Sequence, residues 1–89
     1  MRFGLFAGNG RFPLLALQSA QRLGHDVTVI AIEEEASKEV ESLASRCYWI
    51  SLGQIGKLIE ILKQEGITEV VMAGQVKHNK IFSSIRPDW

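Results

Sequence analysis

The sequence predicts an α/β domain: a four-stranded parallel sheet of strand order 3-2-1-4, with three helices in a Rossmann-like, three-layer arrangement. Three observations carry this expectation. Four short apolar runs, at residues 2–7, 26–32, 48–51 and 69–73, alternate with three stretches that have helical character. The second run, with Val27, Val29, Ile30 and Ile32, is almost unbroken in apolar residues, as suits a strand covered on both faces. Glycines punctuate the order, with Gly8 and Gly74 after strands and Gly24 and Gly66 after helices. Right-handed crossovers then bring all three helix N-termini to one edge of the sheet.

The first strand, residues 2–7, is short, apolar and bounded by glycine. A helix is expected over residues 14–23, where Leu14, Leu17, Ala20 and Leu23 recur at a three-residue spacing. After the second strand, the acidic stretch at residues 33–41 reads as a solvated loop and helix start. Its carboxylates are favourable near a helix N-terminus, and Val40, Leu43 and Ala44 give the helix a narrow apolar face. Residues 48–51 form the third strand. Ser51-Leu52-Gly53-Gln54 is a second glycine turn, and Ile55, Leu58, Ile59 and Leu62 behind it fall at i, i+3, i+4 and i+7 of an amphipathic helix. Residues 69–73 complete the sheet.

Eighty-nine residues allow one domain with a modest core. A formal net charge of zero gives no long-range steering toward nucleic acid, so no nucleic-acid partner is expected and any attraction must be local. The single cysteine, Cys47, excludes an intrachain disulfide and reads as a small buried hydrophobe. No apolar run approaches the roughly 20 residues of a membrane-spanning helix. Nor does the N-terminus have the pattern of a signal peptide. The expected location is the cytoplasm, with contact at a membrane surface left open.

The chemistry is expected at the turn Gly8-Asn9-Gly10-Arg11-Phe12-Pro13. A strand that stops at glycines and re-enters as a helix aims backbone N–H groups at one point, where unsatisfied donors and the helix dipole favour an anion. Gly8 and Gly10 permit positive φ and close approach, and Pro13 suits the first helical position. This is not a full dinucleotide fingerprint, since Pro13 stands where a third glycine belongs. Glu33-Glu34-Glu35 does follow the second strand, roughly where a ribose-binding carboxylate is found in such folds. In the 3-2-1-4 order the switch point lies between strands one and four. The first glycine turn is then expected to face Gly74-Gln75-Val76-Lys77. Beyond Gly74, the cationic Lys77, His78, Lys80 and Arg86 and the apolar Ile81, Phe82, Ile85 and Trp89 suggest a linker, a loop over a ligand or a surface for a second copy. Residues 1–75 are accordingly read as the domain and residues 76–89 as a linker.

Four segments carry a family resemblance: Gly4-Leu5-Phe6-Ala7-Gly8-Asn9-Gly10-Arg11-Phe12-Pro13, Leu52-Gly53-Gln54-Ile55-Gly56-Lys57, Val71-Met72-Ala73-Gly74-Gln75-Val76-Lys77 and Arg86-Pro87-Asp88. Through them the chain resembles the N-terminal domain of the LpxI-type UDP-2,3-diacylglucosamine pyrophosphatases of lipid A biosynthesis. The resemblance implies a cytoplasmic, metal-dependent hydrolase, with magnesium the expected ion, that acts at the inner membrane surface. Such enzymes split UDP-2,3-diacylglucosamine into UMP and 2,3-diacylglucosamine 1-phosphate, lipid X. It also implies a C-terminal domain holding the catalytic aspartate, with substrate between the domains. That domain is not among these residues, so no catalytic residue and no metal ligand is assigned here.

What these residues are expected to supply is binding. The backbone of Gly8, Asn9, Gly10 and Arg11 faces a phosphate, Gly53 and Gln54 add a second polar contact, and Gly74 and Lys77 close the site from strand four. Lys57 sits unfavourably for its helix dipole unless an anion is near. The alternative is a non-catalytic Rossmann-like nucleotide-binding or dimerisation module.

Overall fold

In the computed structural model, which describes residues 2–75, β1 (Arg2–Ala7) and β2 (Asp26–Ile32) form the centre of a parallel sheet. β3 (Arg46–Ile50) flanks β2, and β4 (Val70–Ala73) flanks β1, which gives the expected order β3-β2-β1-β4. All three strand pairs are parallel. The connections are α1 (Phe12–Arg22), α2 (Val40–Leu43) and α3 (Gly56–Glu65), with a 3-10 turn at Leu52–Gln54 leading into α3.

Strand alternation divides the core between two faces. Leu5 and Ala7 of β1 and Val27, Val29 and Ala31 of β2 pack with Leu17 and Ala20 of α1 and Val40 of α2. Phe6, Ile30, Ile32 and Ile50 point the other way and meet Leu58, Ile61 and Leu62 of α3. The near-continuous apolar run of β2 is explained by this, because helices cover it on both sides. β4 stands at the sheet edge, where Val70, Val71 and Met72 remain exposed and only Ala73 is buried.

Element ends differ from expectation for local reasons. α1 begins at Phe12 because Arg11 is already in the right-handed helical region, so Pro13 is the second helical residue and not the first. α2 is a single turn, in keeping with its narrow apolar face. β3 starts earlier, at Arg46, where it pairs with Thr28 of β2, and it ends at Ile50 because Ser51 caps the 3-10 turn. Gly66, at φ 69°, takes the left-handed position that ends α3.

Charged side chains close the edge where the strands begin. Arg46 donates to both carboxylate oxygens of Asp26 at 3.0 Å, and its Nε lies 3.1 Å from Glu65. Arg2 meets Glu65 at 2.7 Å, and the Tyr48 hydroxyl donates to the same carboxylate. The Arg46 hydrogen bond holds the Asp26 carboxyl below its ordinary value. The Tyr48 hydrogen bond, helped by the two guanidinium groups, does the same for Glu65. This network ties β1, β2, β3 and the end of α3 together.

Candidate functional site

The other edge of the sheet is where the glycine turns gather. The exit of β1 and the exit of β4 are hydrogen-bonded to each other. Gly8 N–H donates to the Ala73 carbonyl at 2.9 Å, Asn9 N–H to the Gln75 carbonyl at 2.6 Å, and Gln75 N–H back to Asn9 at 2.9 Å. The last two bonds make an isolated antiparallel bridge just beyond two parallel strands. Gly74 makes it possible. Its φ is +94°, and a Cβ there would lie 2.6 Å from the Asn9 carbonyl oxygen and 3.0 Å from Cγ of Pro13. The Gly8 and Gly74 turns therefore face each other, as the strand order requires.

This pairing changes which amides can meet an anion. Of the two glycines expected at positive φ, Gly10 takes it, at +102°, while Gly8 is buried with ordinary φ. The N–H groups of Gly8 and Asn9 already donate within the protein, so they are not the donors of an anion cradle. The amides of Gly10, Arg11, Phe12 and Leu14 have no acceptor among the described residues, and no side chain caps α1. Phe12 and Leu14 belong to the first turn of an 11-residue helix, at its positive end, and Gly10 and Arg11 lead into it. Arg11 and Phe12 are exposed. Of the four residues named from the sequence, Gly10 and Arg11 keep unengaged amides and Gly8 and Asn9 do not, while Phe12 and Leu14 add two more.

A second cluster joins the β2 and β3 exits. Glu33 N–H donates to the Ile50 carbonyl at 2.9 Å, and the Glu34 carboxylate accepts from Leu52 N–H at 3.1 Å. Gln54 closes a reciprocal capping box with Ser51, its side-chain oxygen taking the Ser51 N–H at 3.1 Å. The carbonyl oxygen of Gln54 is therefore engaged in the cap, which leaves its amide nitrogen to donate. Gly53 and Lys57 are exposed at the same edge. β3 lies two places from β1, roughly 10 Å across the sheet. Gly53 and Gln54 consequently share the edge with Gly8–Arg11 and Gly74 without touching them. Lys77 lies outside the described residues, as do the basic and apolar positions that follow it.

Cys47 and His25 lie away from these turns. Burial, and then the nearby Glu41 carboxylate, pushes the half-buried Cys47 thiol up to about 11, which fits a packing role. His25 sits at the opposite edge, with its ring edge-on to Phe3 at 6.0 Å. Among the described residues no three His, Cys, Asp or Glu side chains come together as metal ligands would. No described helix is long and apolar enough to cross a membrane.

Sequence reasoning missed the Asn9–Gln75 bridge and the groove beside Trp49, at the end of β3. The bridge had one legible sign, a glycine directly after each of two strands expected to be neighbours.

A parallel sheet of order 3-2-1-4, with a helix N-terminus that no side chain caps over the switch point, defines a Rossmann-like α/β domain. Residues 2–89 match the family model described as the LpxI N-terminal domain, and the chain belongs to that family. Its place is in lipid A biosynthesis. No curated protein matches the chain.

Proposed function

We propose that this chain is the substrate-binding part of a UDP-2,3-diacylglucosamine pyrophosphatase, which hydrolyses its substrate to UMP and lipid X. The observation that carries the reading is the joined β1 and β4 exits beneath the open N-terminus of α1, in a chain of the LpxI family. The amides of Gly10, Phe12 and Leu14 suit phosphate oxygens, and Arg11 and Lys77 supply cations against pyrophosphate charge. The divalent metal expected for such an enzyme finds no ligand set among the described residues. Hydrolysis in this reading belongs to a further domain reached through residues 76–89, with contact at a membrane surface where the acyl chains are. The 89-residue chain alone is expected to show no turnover of the lipid substrate; robust turnover would count against the assignment.

Titration with UMP and with NAD, followed by amide NMR, tests the binding role. UMP is expected to shift the amides of Gly10, Arg11, Phe12, Leu14 and Gly74, and NAD to leave them in place. Silence at these amides with UMP would overturn the reading.

A second reading, a non-catalytic module that pairs with another copy, is favoured by the exposed apolar side chains of edge strand β4. Sedimentation equilibrium decides it, because this reading requires a dimer that a charge at Val71 abolishes.

A further inference from the structure

We propose that a groove beside Trp49 takes the base and ribose of the nucleotide whose phosphate meets the N-terminus of α1; the inference rests on the phosphate-binding reading above. The groove holds about 330 Å³ and is lined by Glu33, Ala36, Lys38 and Trp49. Glu33 directly follows β2, and Trp49 is the penultimate residue of β3. The groove therefore opens at the same edge as the glycine turn, two strand places or roughly 10 Å away. Two smaller clefts, of about 140 and 160 Å³, lie beside His25 and between α1 and the β1–β2 face.

The acidic run divides by role in a way that singles out one carboxylate. Glu34 accepts from Leu52 N–H, Glu41 accepts from the Trp49 indole at 2.7 Å, and Glu35 is buried. The Glu33 side chain has no partner among the described residues, although its backbone is pinned to Ile50 at 2.9 Å. Lys38, on the same groove, likewise has no ion pair among the described residues. The groove thus carries a carboxylate, an ammonium and an indole, and neither charged group is paired among the described residues.

That set matches a nucleoside. The indole offers an apolar surface for a base, the carboxylate accepts from vicinal ribose hydroxyls, and the ammonium donates to base carbonyls. The Glu41 bond holds the indole edge in place and so sets the ring before a ligand arrives. The polarity of the bound nucleotide follows: nucleoside over β2 and β3, phosphate at β1, and the remainder of the substrate leaving past Gly74 on the β4 side.

The test titrates uridine, UMP and inorganic phosphate into the 89-residue chain, with amide and indole NMR as readout. UMP is expected to shift the Trp49 indole and the Glu33 amide together with residues 10–14, whereas phosphate alone shifts only residues 10–14. Glu33→Gln and Lys38→Ala, both changes at exposed positions, are expected to weaken UMP severalfold and leave phosphate affinity unchanged. Trp49→Ala is expected to weaken UMP roughly tenfold, from lost stacking. If UMP shifts residues 10–14 and leaves the groove unmoved, the nucleoside site is wrong and the phosphate reading survives. If UMP shifts neither, both fall. Wild-type UMP affinity in both Glu33→Gln and Lys38→Ala would also overturn the nucleoside site.

Discussion

Gly74→Ala is the substitution that most strongly couples the fold to the proposed site. The new methyl would lie 2.6 Å from the Asn9 carbonyl oxygen, 3.0 Å from Pro13 Cγ and 3.1 Å from the Gly8 carbonyl carbon. Two of these are backbone atoms that cannot swing aside as a flexible side chain does. A left-handed φ costs an alanine about 1–2 kcal/mol, and overpacking a fixed site costs about 1–3 kcal/mol more. The sum, about 2–5 kcal/mol, is a large share of the roughly 5–10 kcal/mol that stabilises a domain of this size. At about 4–8 °C per kcal/mol, the melting temperature should fall by about 8 °C or more.

Gly10→Ala is the control. It has the same kind of backbone strain, at φ +102°, but its Cβ would have nothing within 4 Å. It should lose only the strain term, about 1–2 kcal/mol. Thermal unfolding by circular dichroism, with an amide spectrum of each folded variant, reads both effects. Gly74→Ala should also displace the Gly8, Asn9 and Gln75 amides, because the bridge must open to admit the methyl. Equal losses for the two variants, or an intact bridge in Gly74→Ala, would refute the close-approach argument.

Three further outcomes are expected. The Asp26 and Glu65 carboxyls are held below their ordinary values, so their contribution is fully present above the usual carboxylate range and is lost as pH falls through the lowered folded values. Urea midpoints should therefore be flat near neutrality and drop below about pH 4, and Arg46→Gln should soften that acid limb; an unchanged limb would remove Arg46 as the cause. Cys47, with its thiol at about 11, should resist iodoacetamide at pH 8 in the native chain and react readily in urea; rapid native labelling would contradict its packing role. Glu34→Ala should lower stability by about 1 kcal/mol through the lost acceptor for Leu52 N–H, and a neutral result in urea unfolding would count against that link between the β2 and β3 loops.

The fold was largely legible because hydrophobic pattern and chain-order rules act over whole elements. The run Val27–Ile32 could be covered on both faces only in a central strand, and right-handed crossovers then left few orders to choose from. Element ends were less legible, since they depend on tertiary partners. Arg46 becomes strand because Thr28 is beside it, and Phe12 becomes helix because Gly10 turns the chain early enough. At the candidate site, the sequence named the backbone of Gly8, Asn9, Gly10 and Arg11, of which the Gly8 and Asn9 amides are engaged within the fold. Whether an amide is available depends on what lies across from it, and the partner of Asn9 is Gln75, 66 positions along the chain. The same holds for Gln54, whose side-chain oxygen is engaged locally by Ser51, and for Glu33, which stands apart from two similar neighbours only through contacts made in three dimensions.

The claim on which the rest depends is that phosphate is held where the β1 and β4 exits meet, on the N-terminus of α1. A crystal structure of the chain with UMP measures this directly. The phosphate is predicted within hydrogen-bond distance of the Phe12 and Leu14 amides, with the Asn9–Gln75 bridge intact beside it. A phosphate bound instead at the first turn of α3 near Lys57, or at the opposite edge of the sheet among Arg2 and Arg46, would contradict it.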